Sequence, residues 1–177
     1  MIARPLENLL LDRLKTPIGV ALIVCDDSGR VHALDWEEYE SRMLRLLRLH
    51  YGPSLNLQTG RGPANVIRAL AAYFAGELEA IDEIECRFSG TPFQESVWAA
   101  LRTIPVGKTM SYSGLAARIG KPAAVRAVGH ANGANPISVV IPCHRVIGAN
   151  GSLTGYGGGI ERKRWLLRHE GVESVGE

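Results

Sequence analysis

Near the start of the chain, apolar residues come in three short runs separated by residues that favour turns. The runs cover about 9–14, 18–24 and 31–34, and each is typical of a β-strand. The separators are Thr16-Pro17 and Asp26-Asp27-Ser28-Gly29, which are turn-forming sequences. Because connections this short join neighbouring strands, the pattern predicts an antiparallel meander.

The hydrophobic period then changes to that of a helix, twice. The two apolar stripes are Tyr39, Met43, Leu46, Leu47 and His50, and then Val66, Ile67, Leu70, Tyr73 and Phe74 before a stop at Gly76. The acidic stretch 77–89 predicts a connector with one short strand. We place a domain boundary near Ser89-Gly90, which predicts domains over 1–89 and 90–177.

The second domain opens with a helix start. Thr91 is the predicted N-cap, Pro92 occupies the first turn, and Gln94 stands where a capping box needs it. The core-facing stripe of this helix is Phe93, Val97, Trp98 and Leu101.

Two further helices are predicted over about 112–119 and 123–131, with the break Gly120-Lys121-Pro122 between them. Such a pair suggests a helix-turn-helix whose second helix reads DNA, although helical hairpins are common in other proteins. Arg126 is the one long, permanently charged side chain among the small residues of that helix. It could fill a gap in a base stack or simply face solvent.

Composition limits the class of protein. With 46% hydrophobic and 21% charged residues the chain is typical of a globular protein, and it has no run of about 18 apolar residues. Its three cysteines are an odd number without metal-ligand spacing, which argues against a disulfide framework and for a reducing compartment. We expect a cytoplasmic protein without a membrane span.

Charge is distributed unevenly between the halves. Residues 1–90 carry 10 basic and 13 acidic side chains, whereas residues 91–177 carry 10 basic and 5 acidic ones. The excess of positive charge in the second half is a weak indication of a polyanionic partner such as nucleic acid.

The strongest chemical signal is the run Ile141-Pro142-Cys143-His144-Arg145-Val146. We expect an apolar strand over 137–141 to end at the proline, so that Cys143 begins a turn, where the thiolate form is favoured. His144, Arg145 and the upstream Asn135 place polar groups around the sulfur, as a working nucleophile requires. The alternative is a buried structural cysteine.

Five motifs in order resemble one known family: Pro142-Cys143-His144-Arg145-Val146, Arg126-Ala127-Val128-Gly129, Asn135-Pro136, Thr154-Gly155-Tyr156 and Trp165-Leu166-Leu167-Arg168-His169-Glu170-Gly171. Over nearly the full length, the chain resembles the bacterial O6-alkylguanine-DNA alkyltransferases, also called methylated-DNA-protein-cysteine methyltransferases. The resemblance implies an α/β (α+β) fold, with an N-terminal ribonuclease-H-like domain of sheet and helices. A C-terminal winged-helix-like domain would carry the reactive cysteine.

The resemblance also implies chemical roles for residues at matching positions. Cys143 would accept the alkyl group, His144 would take its proton through a water molecule, and Glu170 would orient the imidazole. Asn135 would steady the turn around the sulfur. Tyr112 would contact a phosphate and protonate the leaving base.

The implied partner is double-stranded DNA that contains O6-alkylguanine, and O4-alkylthymine is a further expected substrate. Arg126 would fill the stack after the damaged nucleotide flips out through the minor groove. The helix would meet DNA through Ala127, Gly129 and Ala131, and the base pocket would be formed by Val146, Tyr156, Gly157 and Gly158. We expect a monomer in solution, and cooperation along DNA stays open.

The reaction should stop after one turnover, because an S-alkyl cysteine is a thioether without an electrophilic carbonyl. No cofactor is expected. Zinc, which some relatives bind, is not expected either, since Cys25 and His32 do not make a set of four ligands.

Two other function classes stay open from the sequence. A Cys-His hydrolase would use the same dyad for repeated acyl transfer, but it would need an oxyanion pocket and no DNA-reading helix. A DNA-binding redox sensor would need sequence-specific contacts, which a helix of alanines and glycines supplies poorly.

Overall fold

The structure is a computed structural model that describes residues 8–173. The fold is mixed α/β, and the chain divides into two compact units, Met1–Ser89 and Gly90–Glu177. Within the described part of the chain, no helix is long and apolar enough to cross a membrane.

The first unit is built on a four-stranded sheet with the order β3-β2-β1-β4. Its strands are β1 (Leu9–Thr16), β2 (Gly19–Cys25), β3 (Val31–Trp36) and β4 (Leu57–Thr59). The first three pair antiparallel, which confirms the predicted meander. The three-residue β4 pairs parallel with β1 at the edge and was not predicted, because so short a strand has no readable period.

Helix α1 (Glu40–Tyr51) packs on one face of this sheet, where it follows a 3₁₀ turn over Glu37–Tyr39. Alternate residues of the strands face it, so the core here combines Leu9, Leu11, Leu22, Val24 and Ala33 with Met43 and Leu47 of the helix. Helix α2 (Ala64–Phe74) also contacts β1 and buries Val66, Leu70 and Tyr73. Both predicted helices are therefore present.

The acidic connector forms a 3₁₀ turn over Ala80–Glu83 and no full strand. The predicted short strand is reduced to one parallel bridge, in which Val31 donates its N–H to Glu85 O (2.9 Å) and accepts from Arg87 N–H (2.9 Å).

A buried polar chain also lies in the first unit. His32 pairs through Nε2 with Asp26 Oδ2 (2.7 Å) and through Nδ1 with the Tyr51 hydroxyl (2.8 Å). Burial raises the pKa of the neighbouring Cys25 thiol to about 12, an effect that nearby carboxylates reinforce. Among residues 8–173, no three histidine, cysteine or acidic side chains are grouped as a metal ion would require.

The second unit opens with α3 (Pro92–Leu101), whose capping box is confirmed. Thr91 Oγ1 accepts from Gln94 N–H (3.1 Å), and Gln94 Oε1 accepts from Thr91 N–H (3.0 Å). The buried stripe of α3 is Val97, Trp98 and Leu101, while Phe93 is only half-buried.

The predicted helix pair is also present, as α4 (Tyr112–Arg118) and α5 (Val125–Gly133). Gly120, at φ +74°, ends α4 in the left-handed conformation, and Lys121 N–H returns to Ala116 O (2.9 Å). Helix α5 begins two residues later than predicted, because Ala124 N–H closes a turn onto Lys121 O (2.9 Å).

Two short strands and a last helix complete the unit. Strands β5 (Met110–Ser111) and β6 (Val146–Ile147) pair parallel, so the start of α4 lies beside the segment that follows Cys143. Helix α6 spans Ile160–His169, and Glu170 is its C-cap.

The strand predicted over 137–141 is wrong. This segment is a tight buried turn in which Ile141 N–H donates to Ile137 O (3.1 Å) and Val139 has φ +70°. A short apolar run has the same hydrophobic pattern in a strand and in a buried turn, so periodicity could not separate them.

Candidate active site

Cys143 is the first residue of the 3₁₀ turn Cys143–Arg145 and is buried, with 6% of its surface exposed. Asn135 fixes the preceding segment: its Nδ2 donates to Ile141 O (2.8 Å), and its Oδ1 accepts from Ile137 N–H (2.9 Å). Asn132 Nδ2 makes a long contact of 3.5 Å with the Cys143 carbonyl. The backbone under the sulfur is therefore held by two asparagine amides.

His144 is fully buried, and its two ring nitrogens have different surroundings. Nε2 lies 2.9 Å from Glu170 Oε1, and an ionised carboxylate can only accept, so Nε2 carries the proton. Nδ1 has no hydrogen-bond partner among the described residues. In the neutral imidazole this Nδ1 is a proton acceptor.

Arg145 was expected as a polar group around the sulfur, and its guanidinium instead contacts Glu170 and the Ile104 carbonyl. It is 3% exposed and holds Glu170 through Nε to Oε2 and Nη2 to Oε1, both 2.9 Å, while Nη1 donates to Ile104 O (2.6 Å). The sequence feature that could have indicated this contact is a long cationic side chain directly after a reactive Cys-His pair.

The Glu170 carboxylate is ionised. Burial on its own would raise its pKa, but attraction to His144 and hydrogen bonds from His144 and Arg145 hold it well below the ordinary value of 4.5. The structure contains the contact that Glu170 would need in order to orient the His144 imidazole. Glu170 is not solvated at the helix end, since only 3% of its surface is exposed.

Lys163 of α6 is a group that the sequence analysis missed. It is fully buried, and its Nζ donates to Val146 O (2.6 Å) and Thr154 O (2.9 Å). Burial lowers its pKa to about 8, against the opposing attraction of Cys143. Lys163 lies three and four residues before Leu166 and Leu167, which places it on the apolar stripe of α6. This helical spacing is the sequence feature that could have indicated its burial.

Tyr112 lies at the start of α4, where Ser111 Oγ caps the helix by accepting from Gly114 N–H (3.0 Å). Its hydroxyl accepts a hydrogen bond of 3.0 Å from Thr154 Oγ1. On its other side is α5, because a Cβ added to Gly129 would lie 3.8 Å from Tyr112 Cδ1. Tyr112 is thus placed between α5 and the loop before α6.

The remaining predicted site residues divide between α5 and the loop 148–159. Arg126 and Ala127 are exposed on α5, whereas Ala131 is 3% exposed and its carbonyl accepts from Trp98 Nε1 (2.8 Å). Ala131 therefore faces the core of the unit and not the exposed side of α5. The loop carries Tyr156, Gly157 and Gly158, in the segment that Lys163 anchors at Thr154.

Comparison with known proteins places this geometry in a family. The chain is 54% identical to the methylated-DNA–protein-cysteine methyltransferase of Salmonella typhimurium over 165 residues, which are 93% of this chain and 96% of that protein. The chain belongs to the methylated-DNA–protein-cysteine methyltransferase family. The family model for the DNA-binding domain of 6-O-methylguanine DNA methyltransferase matches residues 92–172, a range that contains Cys143 and Glu170.

Solved structures of this methyltransferase family agree with the fold. A crystal structure of Mycobacterium tuberculosis OGT in complex with DNA is similar at TM-score 0.76 and 43% identity, over 91% of this chain and 92% of that one. The O6-methylguanine-DNA methyltransferase of Pyrococcus kodakaraensis gives TM-score 0.74 at 29% identity, over 93% and 99%.

Proposed function

We propose that this methyltransferase repairs DNA directly, by moving the alkyl group of O6-alkylguanine, and of O4-alkylthymine, irreversibly onto Cys143. The single observation that carries the proposal is the buried chain from the Cys143 turn through His144 to Glu170, with Nδ1 of His144 left as an acceptor. A family that is named for transfer to a cysteine supplies the reaction class.

The first step generates the nucleophile. His144 Nδ1 takes the thiol proton of Cys143, and a water molecule carries it, because adjacent residues on a tight turn do not face each other. Glu170 stabilises the imidazolium that results, as a buried carboxylate does for a catalytic histidine. Asn135 keeps the turn beneath the sulfur in place.

The second step forms the S–C bond and breaks the C–O6 bond. The electron pair of the broken bond passes to the guanine, where protonation of a ring nitrogen by the Tyr112 hydroxyl prevents a guanine anion. Tyr112 then recovers a proton from solvent. The product is a thioether that water does not attack, so one protein molecule repairs one base.

DNA is the partner. In the proposed binding mode, the protein places helix α5 at the minor groove of the duplex. Small residues such as Ala127 and Gly129 let the helix come close, and the exposed Arg126 fills the stack when the damaged nucleotide flips out. Tyr112 contacts a phosphate, and the flipped base enters a pocket formed by the Val146 backbone, Tyr156, Gly157 and Gly158.

The proposed architecture is a ribonuclease-H-like domain over 1–89 and a winged-helix-like domain over 90–177. We expect a monomer that works in the reducing cytoplasm, because an alkyl acceptor has to remain a thiol. No cofactor takes part in the proposed reaction.

Mass analysis of peptides tests the proposal. After reaction with a duplex that contains one O6-methylguanine, the wild-type protein should carry the methyl group on the Cys143 peptide, and Cys143→Ser should carry none. Cys86→Ser is the matched control and should react normally. A methyl group on another cysteine would contradict the assignment of Cys143, and repeated product release would favour the Cys-His hydrolase instead.

A further inference from the structure

Thr154 is held at a fixed place by a buried cation. Lys163 Nζ donates both to the Thr154 carbonyl (2.9 Å) and to the carbonyl of Val146 (2.6 Å), which follows the reactive turn. Since Lys163 is fully buried, these carbonyls satisfy its ammonium group in place of water. The backbone of the loop is thereby tied to β6.

The Tyr112 side chain is confined in a similar way. Its backbone follows β5, which pairs with β6 at Met110 and Val146. Gly129 of α5 lies near its ring, since a Cβ added at Gly129 would be 3.8 Å from Tyr112 Cδ1. Thr154 and Tyr112 are therefore brought together by two anchored segments.

The direction of their hydrogen bond has a chemical consequence. Thr154 Oγ1 donates to the Tyr112 oxygen over 3.0 Å. A phenol has one proton, so an oxygen that accepts from Thr154 keeps its own proton for a different acceptor. The accepted bond also polarises the phenolic O–H and makes it a better donor.

We propose that Thr154 is a positioning residue for alkyl transfer, which directs and polarises the Tyr112 hydroxyl so that its proton is available to the leaving base. The inference rests on the proposed role of Tyr112 as proton donor. Thr154 acts through the Tyr112 hydroxyl and does not touch the substrate in this scheme.

Two alkylating agents separate this role from a structural one. Transfer from an O6-methylguanine duplex needs a proton on the leaving base, whereas iodoacetamide releases iodide and needs none. At saturating duplex, Thr154→Val should slow single-turnover transfer about three- to tenfold, the value of one hydrogen bond. In this variant, the rate of Cys143 labelling by iodoacetamide and the affinity for the duplex should stay as in wild type. Thr154→Ser keeps the hydroxyl and should transfer the methyl group at the wild-type rate.

A double-mutant cycle completes the test. Tyr112→Phe removes the hydroxyl on which Thr154 acts, so Thr154→Val should cause no additional loss in that background. Additive losses, equal slowing with iodoacetamide, or a loss explained by weaker duplex binding would each overturn the inference. A wild-type protein that transferred no methyl group would instead contradict the proposed function.

Discussion

Arg145 holds Glu170 through two parallel hydrogen bonds, Nε to Oε2 and Nη2 to Oε1, each 2.9 Å long. The same Oε1 also pairs with His144 Nε2. One buried carboxylate therefore balances a permanent cation and accepts a hydrogen bond from the imidazole at the same time. Both contacts are made by residues that are almost fully excluded from solvent.

The first prediction concerns stability. Arg145→Met leaves the Glu170 carboxylate buried without its permanent counter-charge, so the free energy of unfolding should fall by about 3–5 kcal/mol in urea titrations. Arg164→Met, which breaks the surface pair with Glu161, should cost no more than about 1 kcal/mol. Similar losses of unfolding free energy in both variants would show that the buried Arg145–Glu170 pair stabilises the fold no more than an exposed ion pair does.

Acid stability follows from the lowered pKa of Glu170. Because the folded protein holds this carboxylate ionised while the unfolded chain takes up a proton near pH 4.5, its contribution is present above that pH and is lost as the pH falls. Glu170→Gln should therefore flatten the decline in unfolding free energy between about pH 5 and pH 3. An unchanged slope in Glu170→Gln would contradict the assignment.

The catalytic role of Glu170 makes a separate prediction. If Glu170 stabilises protonated His144, Glu170→Gln should slow Cys143 alkylation at neutral pH and recover part of the rate in alkali, where the thiolate forms without help. The measurement is the pH–rate profile for a methylated duplex, with duplex affinity as the control. A uniform loss at every pH would indicate a structural effect only.

Arg126 is exposed on α5 and is expected to act only on duplex DNA. Arg126→Ala should slow repair in a duplex far more than transfer from free O6-benzylguanine, because only the duplex requires base flipping, at a cost of a few kcal/mol. Arg126→Lys keeps the charge but not the planar group, so it should retain DNA affinity better than repair. Equal losses on both substrates would mean that Arg126 supports the fold.

The sequence was informative where local rules decide the structure. The Thr91 capping box, the antiparallel meander and the helix break at Gly120 all depend on neighbouring residues, and all are present. The turn around Val139 could not be predicted, because the side chain of Asn135 and the buried surroundings determine it.

The same distinction applies to the candidate site. The Cys143-His144 pair was evident as a motif. The pairing of Glu170 with Arg145 and the partners of Lys163 were not, since residues far apart in the chain meet there: Arg145 lies 25 positions from Glu170, and Lys163 bonds to Val146, 17 positions away. Burial of Ala131 likewise follows from the packing of α5, which composition does not determine.

The central claim is that Cys143 accepts one alkyl group and is then spent. It is tested most directly by the amount of guanine restored when a fixed quantity of protein meets excess duplex that contains O6-methylguanine. We predict a plateau at one repaired base per protein molecule, with the methyl group on Cys143 and no repair by Cys143→Ser. Continued repair beyond one equivalent, or repair by Cys143→Ser, would contradict the account.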